Sequence, residues 1–221
     1  MRVKSARGRK ISSTRWLSRQ LNDPYVAQAR KAGYRSRAAF KLTELDDRFG
    51  FLRAGAKVVD LGAAPGGWTQ VAVERAGKDN VIALDVSPMD AVAGARIITA
   101  DILEDASIEA ILESTQDGVD IVLSDIAPPA TGHRSTDHVR IVALAEAAFD
   151  VACQVLRPGG VFVAKVYQGG SERDFLAALK QSFRTVKHAK PNASRKESSE
   201  TYVIGIDFRG ADDVKSSSSE A

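Results

Sequence analysis

Residues 58–70 read VVDLGAAPGGWTQ, an apolar β-branched run, a glycine-rich turn and the opening of a helical pattern. Val58, Val59 and Leu61 suit a buried strand, and Gly62, Pro65, Gly66 and Gly67 break it sharply. From Trp68 to Ala76 the apolar residues return at helical spacing. A strand entering a helix through such a turn brings bare backbone and unpaired helix N–H groups to one place, where a ligand can approach closely.

Further along the chain the same alternation continues. Strands are expected at 57–62, 80–85, 95–100, 119–125, 160–167, 183–190 and 200–208, with helices near 67–76, 105–114, 138–156 and 171–182. Apolar strands separated by helices predict an α/β fold, a mostly parallel seven-stranded sheet with helices on both faces. Only a loop separates the last two strands, so the last is expected to run antiparallel. Before the glycine turn, 14–32 and 36–49 read as two helices broken near Gly33, with Ser36 as N-cap of the second. Residues 1–13 and the tail 210–221 are expected to be disordered.

At 221 residues and 44% hydrophobic content the chain fits one folded domain without a membrane span or secretory leader. Its single cysteine, Cys153, suits a reducing cytoplasm, and with His133, His138 and His188 scattered it offers no metal-ligand cluster. The net charge of +3 conceals an asymmetry. Residues 1–41 hold twelve Lys and Arg against one acid, Asp23, giving +11, while the remainder carries 19 bases and 27 acids, giving −8. A cationic segment on an acidic body points to a polyanion, and nucleic acid is the expected partner.

Acids close three successive strand patterns at Asp60, Asp85 and Asp101. Asp85 falls 23 residues after Gly62, where an acid commonly holds a ribose diol. Together with the glycine turn these acids predict adenosine binding, although each alone reads equally well as a cap or loop residue. Pro65 removes an N–H that a pyrophosphate would use, and the acidic surroundings suit a ligand bearing a cation. S-adenosylmethionine, a sulfonium without phosphates, is preferred on these grounds, and a nicotinamide dinucleotide is disfavoured by the Pro65 loop.

Residues 160–170, GVFVAKVYQGG, place Lys165 inside a strand pattern that is otherwise apolar. A buried ammonium is costly unless it is paired. Asp125 ends the fourth strand, and Glu200 opens the last. If that strand is antiparallel, Glu200 lies at the same edge of the sheet, with Lys41 reaching over from the helix before the first strand. Singly these residues read as a solvated helix charge, a cap, a strand-edge charge and a snorkelling stem. As a set they predict two amines and two carboxylates converging beside the ligand.

SRAAFKLTEL (36–45), VVDLGAAPGGWTQ, ALDVSPMD (83–90), SDIAPPATG (124–132), LRPGGVFVAKVYQGG (156–170) and KPNASRKESSETYVI (190–204) together resemble the FtsJ/RrmJ-type ribose 2′-O-methyltransferases, from about Arg35 to Phe208. The resemblance implies a Rossmann-like S-adenosylmethionine-dependent methyltransferase fold. It carries the family's Lys-Asp-Lys-Glu tetrad onto Lys41, Asp125, Lys165 and Glu200. The cofactor residues fall on Gly66, Trp68, Asp85, Asp101 and Asp125. Within the family the likeness is greatest to bacterial members that methylate a uridine in the A loop of 23S rRNA, which implies a cytoplasmic, monomeric enzyme acting on the large ribosomal subunit without a metal. The stretch APPATG stands where the family has APNMSG, the basic arm is longer, and the acidic-serine tail is extra.

In that reading residues 1–34 form a basic arm contacting RNA with Lys187, Lys190, Arg195 and Lys196, 35–209 the methyltransferase domain, and 210–221 a polar tail. Lys165 either takes the 2′-hydroxyl proton as a neutral amine or steers the hydroxyl as a cation, with Asp125 and Glu200 positioning it and Lys41 orienting the ribose. Substrates on tRNA or an mRNA cap, and a non-catalytic RNA-binding module, remain open at this stage.

Overall fold

The computed structural model describes residues 22–115, 118–128, 131, 133–167 and 173–210. The expectations for 1–21 and 211–221 fall outside them. Seven strands form one sheet: β1 (Val58–Leu61), β2 (Val81–Asp85), β3 (Ala95–Thr99), β4 (Val119–Ser124), β5 (Leu156–Tyr167), β6 (Phe183–Ala189) and β7 (Glu200–Phe208), in the order β3-β2-β1-β4-β5-β7-β6. Only β7 runs antiparallel, pairing with β5 on one side and β6 on the other. The expected Rossmann-like topology is therefore present. The order reverses between β1 and β4, and the loops after those two strands open a crevice at the carboxyl edge of the sheet.

Strand alternation sends successive side chains to opposite faces. One face carries Val59, Leu61, Val122, Phe162 and Val203, with an aromatic cluster of Phe149, Phe162, Phe175, Phe183 and Phe208 at centroid spacings of 5.3–6.4 Å. Helices α4 (Asp105–Thr115), α5 (Arg134–Val155) and α6 (Arg173–Ser182) cover it. The other face carries Val58, Ile121, Leu123, Val161, Val163 and Ile204, under α2 (Ala39–Phe49) and α3 (Gly67–Ala76). Asp46 of α2, 5% exposed, accepts the Leu52 N–H at 2.6 Å and pairs with Arg75 of α3, which also holds Asp47. A buried carboxylate so paired fixes the two helices to one another.

Element boundaries depart from expectation where local chemistry outweighs periodicity. Helix α1 (Pro24–Ala32) starts on an N-cap, Asp23, whose carboxylate accepts the Tyr25 N–H at 3.1 Å, with proline at the first helical position. Asn22 and Asp23 are thus not helical, as the 14–32 reading had them. Ser36 caps nothing: α2 begins at Ala39, its first N–H groups reach back three residues, and the Ser36 hydroxyl is buried against Gly67 without a partner. Helix α5 begins at Arg134, four residues earlier than read. Strand β5 begins at Leu156 instead of Gly160. Its ladder to β4 jumps from Val119–Leu156 to Ile121–Val161, and Arg157 in the bulge reaches back to Asp120.

Candidate active site

The alternation that builds the α2-side core also aims the site. Val161, Val163 and Lys165 share one face of β5, and Ile204, Tyr202 and Glu200 share the same face of β7. Register sets Lys165 opposite Tyr202 and Tyr167 opposite Glu200. Asp125 follows β4 one residue beyond the Ser124–Ala164 pair, on the side where Leu123 faces the core. Lys41 descends from α2 onto this edge. All four expected residues therefore meet.

Lys165 is 6% exposed. Its ammonium donates to the Asp125 carbonyl at 2.8 Å and lies 3.1 Å from Asp125 Oδ1. Burial alone would push the Asp125 carboxyl up, but the Lys165 and Lys41 charges and the Tyr202 hydroxyl outweigh it and hold the carboxyl below its ordinary value. The Lys41 Nζ lies 2.8 Å from both Glu200 oxygens and 3.8 Å from Asp125 Oδ2. Glu200 consequently holds Lys41, and no contact joins it to Lys165, which corrects the expectation that both acids position Lys165. The reason is geometric: β7 carries Glu200 two pairs beyond Lys165, under the α2 side chain.

Two further residues complete the cluster. The Tyr202 hydroxyl donates to Asp125 Oδ1 at 2.8 Å, while its ring packs 5.6 Å from Trp68. Burial, then Asp125 and Glu200, push the Tyr202 hydroxyl well above its ordinary pKa. Ser194 donates to Glu200 Oε1 at 2.6 Å. Sequence reasoning passed over both, although Tyr202 lies two residues beyond Glu200 and period 2 alone sets them on one face.

Asp125 also lines a cavity of about 550 Å³ in the crevice, with Gly62, Ala64, Asp85, Asp101 and Ile126 among its walls. Asp85 accepts the Ala64 N–H at 2.9 Å and the Ser87 N–H at 2.7 Å, and Asp101 accepts the Leu103 N–H at 3.1 Å. These bonds aim both carboxylates while leaving lone pairs for a ligand. Gly62 is required here, since a Cβ would stand 2.4 Å from Ile126 Cγ1. Gly66 and Trp68 are not lining residues. Trp68, 3% exposed, donates its indole N–H to the Ala38 carbonyl at 2.8 Å. On the other side of Lys41 lies a second hollow of about 250 Å³, bounded by Arg37, Ala38, Lys41, Arg195, Ser198 and Glu200.

The cations expected to face RNA divide in two. Arg37 pairs with Asp23 and donates to the Ala193 carbonyl, and Lys190 holds the carbonyls of Lys196 and Ser198 at 3.2 and 2.5 Å. Arg30, Lys31, Lys187 and Lys196 are solvent-facing or partly so, and Arg195 lies 3.6 Å from Asp23. Among the described residues no group of three or more His, Cys, Asp or Glu could hold a metal, and no helix is long and apolar enough to cross a membrane.

The family model of FtsJ-like methyltransferases matches residues 34–208. A ribosomal RNA large subunit methyltransferase E from Gluconobacter oxydans is 58% identical over 207 residues, 94% of this chain and 77% of that one. A protein of the same name from Paramagnetospirillum magneticum is 54% identical, with 96% and 89% covered. Among solved structures, a Plasmodium falciparum chain described as a ribosomal RNA methyltransferase aligns with a TM-score of 0.72 and 31% identity, over 80% of this chain and all of that one. With the match running from the turn before α2 to the end of β7, this chain belongs to the FtsJ-like methyltransferase family.

Proposed function

We propose that this chain is a ribosomal RNA methyltransferase that uses S-adenosylmethionine to methylate a ribose 2′-hydroxyl, that of a uridine in the A loop of 23S rRNA in the large ribosomal subunit. One observation carries the reading: Asp125 is at once a wall of the 550 Å³ cavity and the partner of a nearly buried lysine. Family membership and the names of the relatives support the reaction class and the RNA.

The cavity falls in the size range of small-molecule sites. Asp85 and Asp101 would hold the hydroxyls and amine of an adenosine. Gly62 keeps the floor open, and Asp125 would face the positive end of the ligand. When bound, S-adenosylmethionine supplies a methyl group on a sulfonium, already activated toward a nucleophile. The protein's task is alignment. Two of the Lys165 N–H groups are engaged by Asp125, and the third would fix the 2′-oxygen in line with the methyl carbon. The hollow between Arg37, Lys41 and Arg195 would take the ribose and its phosphate, with Lys41 turned toward the substrate by Glu200. As the oxygen–carbon bond forms, the carbon–sulfur bond would break with its electron pair passing to sulfur, and the hydroxyl proton would leave to solvent beside Glu200, while Lys165 steadies the oxygen as a cation.

Large ribosomal subunits from cells lacking the protein, incubated with it and the cofactor, should gain one 2′-O-methyluridine in the A loop. Lys165→Met should lower that rate at least about a hundred-fold and leave S-adenosylhomocysteine affinity within a few-fold. Turnover within ten-fold of wild type would remove Lys165 from the reaction.

A further inference from the structure

Residues 33–38 connect α1 to α2 and lie along the glycine turn. Arg35 stands at their centre, within the basic segment that composition assigns to RNA. Its side chain instead reaches three backbone carbonyls. Nη1 donates to Pro65 at 3.1 Å and to Asp90 at 2.7 Å, and Nη2 donates to Ala91 at 2.5 Å. The Arg35 N–H donates to the Gln70 side chain at 2.8 Å, and that amide returns a bond to the Gly33 carbonyl at 3.0 Å. A Cβ on Gly66 would stand 2.9 Å from Arg35 Nη1 and 3.0 Å from Val92, so the turn, the guanidinium and the loop after β2 are in contact.

The two loops so joined follow neighbouring strands and form adjoining parts of the large cavity. The glycine turn contributes Gly62 and Ala64, and the segment after β2 contributes Asp85, Val86 and Ser87. We propose that Arg35 is a positioning residue for the cofactor: its guanidinium clasps the loop after β2 to the glycine turn and fixes how these two parts of the cavity lie against each other. This rests on the cofactor reading above. An arginine suits the place because Nη1 bridges Pro65 and Asp90 while Nη2 holds Ala91 as well, in a planar fork that fixes the angles between the three, whereas a lysine ammonium loses the Ala91 bond and the fixed geometry. The side chain is exposed, so water competes for these bonds, and the benefit comes from preorganising the empty site.

Arg35→Lys separates this role from an RNA contact, because it keeps the charge and loses the fork. The expected result is an S-adenosylhomocysteine Kd and a cofactor KM raised about ten-fold. The kcat at saturating cofactor and the salt dependence of RNA binding should stay within two-fold. Arg35→Gln should raise the cofactor constants similarly. Unchanged cofactor constants with weaker RNA binding and a flatter salt slope in Arg35→Gln would overturn the proposal and make Arg35 a phosphate contact. Wild-type protein that fails to bind S-adenosylhomocysteine would overturn the cofactor reading and the clasp with it. A check without substitution is hydrogen exchange of the wild type: S-adenosylhomocysteine should slow the amides of 90–92, which are outside the lining. Protection ending at Ser87 would also refute the clasp.

Discussion

Asp60, which lines neither hollow, is the least comfortable acid of the sheet. It is 1% exposed at the end of β1; its Oδ2 accepts the Thr69 hydroxyl at 2.7 Å, and its Oδ1 is buried with no partner. A carboxylate there would place charge on an oxygen that nothing solvates. Burial, with the nearby Asp125 and Asp85 adding to it, pushes the acid from 3.8 to about 7, against the Thr69 bond that pulls it down. Below about pH 4 folded and unfolded chains both carry the proton, and Asp60 leaves stability untouched. Above it the unfolded chain releases the proton while the folded chain keeps it, so stability falls until pH passes about 7. The shift spans about three units, which at about 1.4 kcal/mol each gives a loss on the order of 4 kcal/mol. Asp60→Asn removes the titration with little change in volume. Urea midpoints of both proteins should therefore diverge as pH rises from 5 to 8, wild type losing ground by about 1 kcal/mol per unit up to neutrality. Other groups, Asp125 among them with the opposite sign, cancel in the difference. A wild-type-minus-Asn difference that is flat, or that grows in favour of wild type with pH, would refute the reasoning.

Two more expectations follow from the geometry. Tyr202→Phe keeps the ring against Trp68 and deletes the bond to Asp125; with one hydrogen bond to a charged group lost, stability should fall by about 2 kcal/mol. Because that bond helps hold Asp125 down, the acid limb of the pH–rate profile should move to higher pH, and an unmoved limb would show that the hydroxyl leaves Asp125 alone. Gly62→Ala forces a Cβ onto Ile126 at a φ of +73°, and should cost about 2 kcal/mol or more while weakening S-adenosylhomocysteine binding; urea midpoints and titration calorimetry measure the two effects.

Period 2 made much of the site legible. Lys165 among Val161, Val163 and Val166 announces a buried amine, and the parity of Glu200 and Tyr202 follows once β7 is taken as antiparallel. What parity does not carry is reach across elements. Which acid holds which lysine depends on how far α2 stands above the sheet, and that is set by Asp46 and Arg75, residues that look like surface charges in the sequence. The start of α1 was legible but overridden: Asp23-Pro24 is a cap-and-first-turn signal, whereas apolar spacing continues across it. The fate of Arg35 and Arg37 was not legible, because composition counts charge without saying whether a backbone carbonyl or a carboxylate has already claimed it.

Of the four clustered residues only Lys41 comes from a helix, and the proposed methyl transfer tolerates little drift between it and the sheet edge that carries the others. The fold meets this by tying α2 to the glycine turn itself. Arg75 of α3 grips Asp46 and Asp47 at the far end of α2, and Trp68 of α3 holds the Ala38 carbonyl at its near end. Since α3 grows directly out of Gly66 and Gly67, a displacement of the turn must carry α2 and Lys41 with it. The Lys41–Glu200 pair then closes the circuit from α2 back to β7. The proposed ligand site and Lys41 thus share one rigid frame, and a substitution that loosens Trp68 should disturb both together, although Trp68 lines neither hollow.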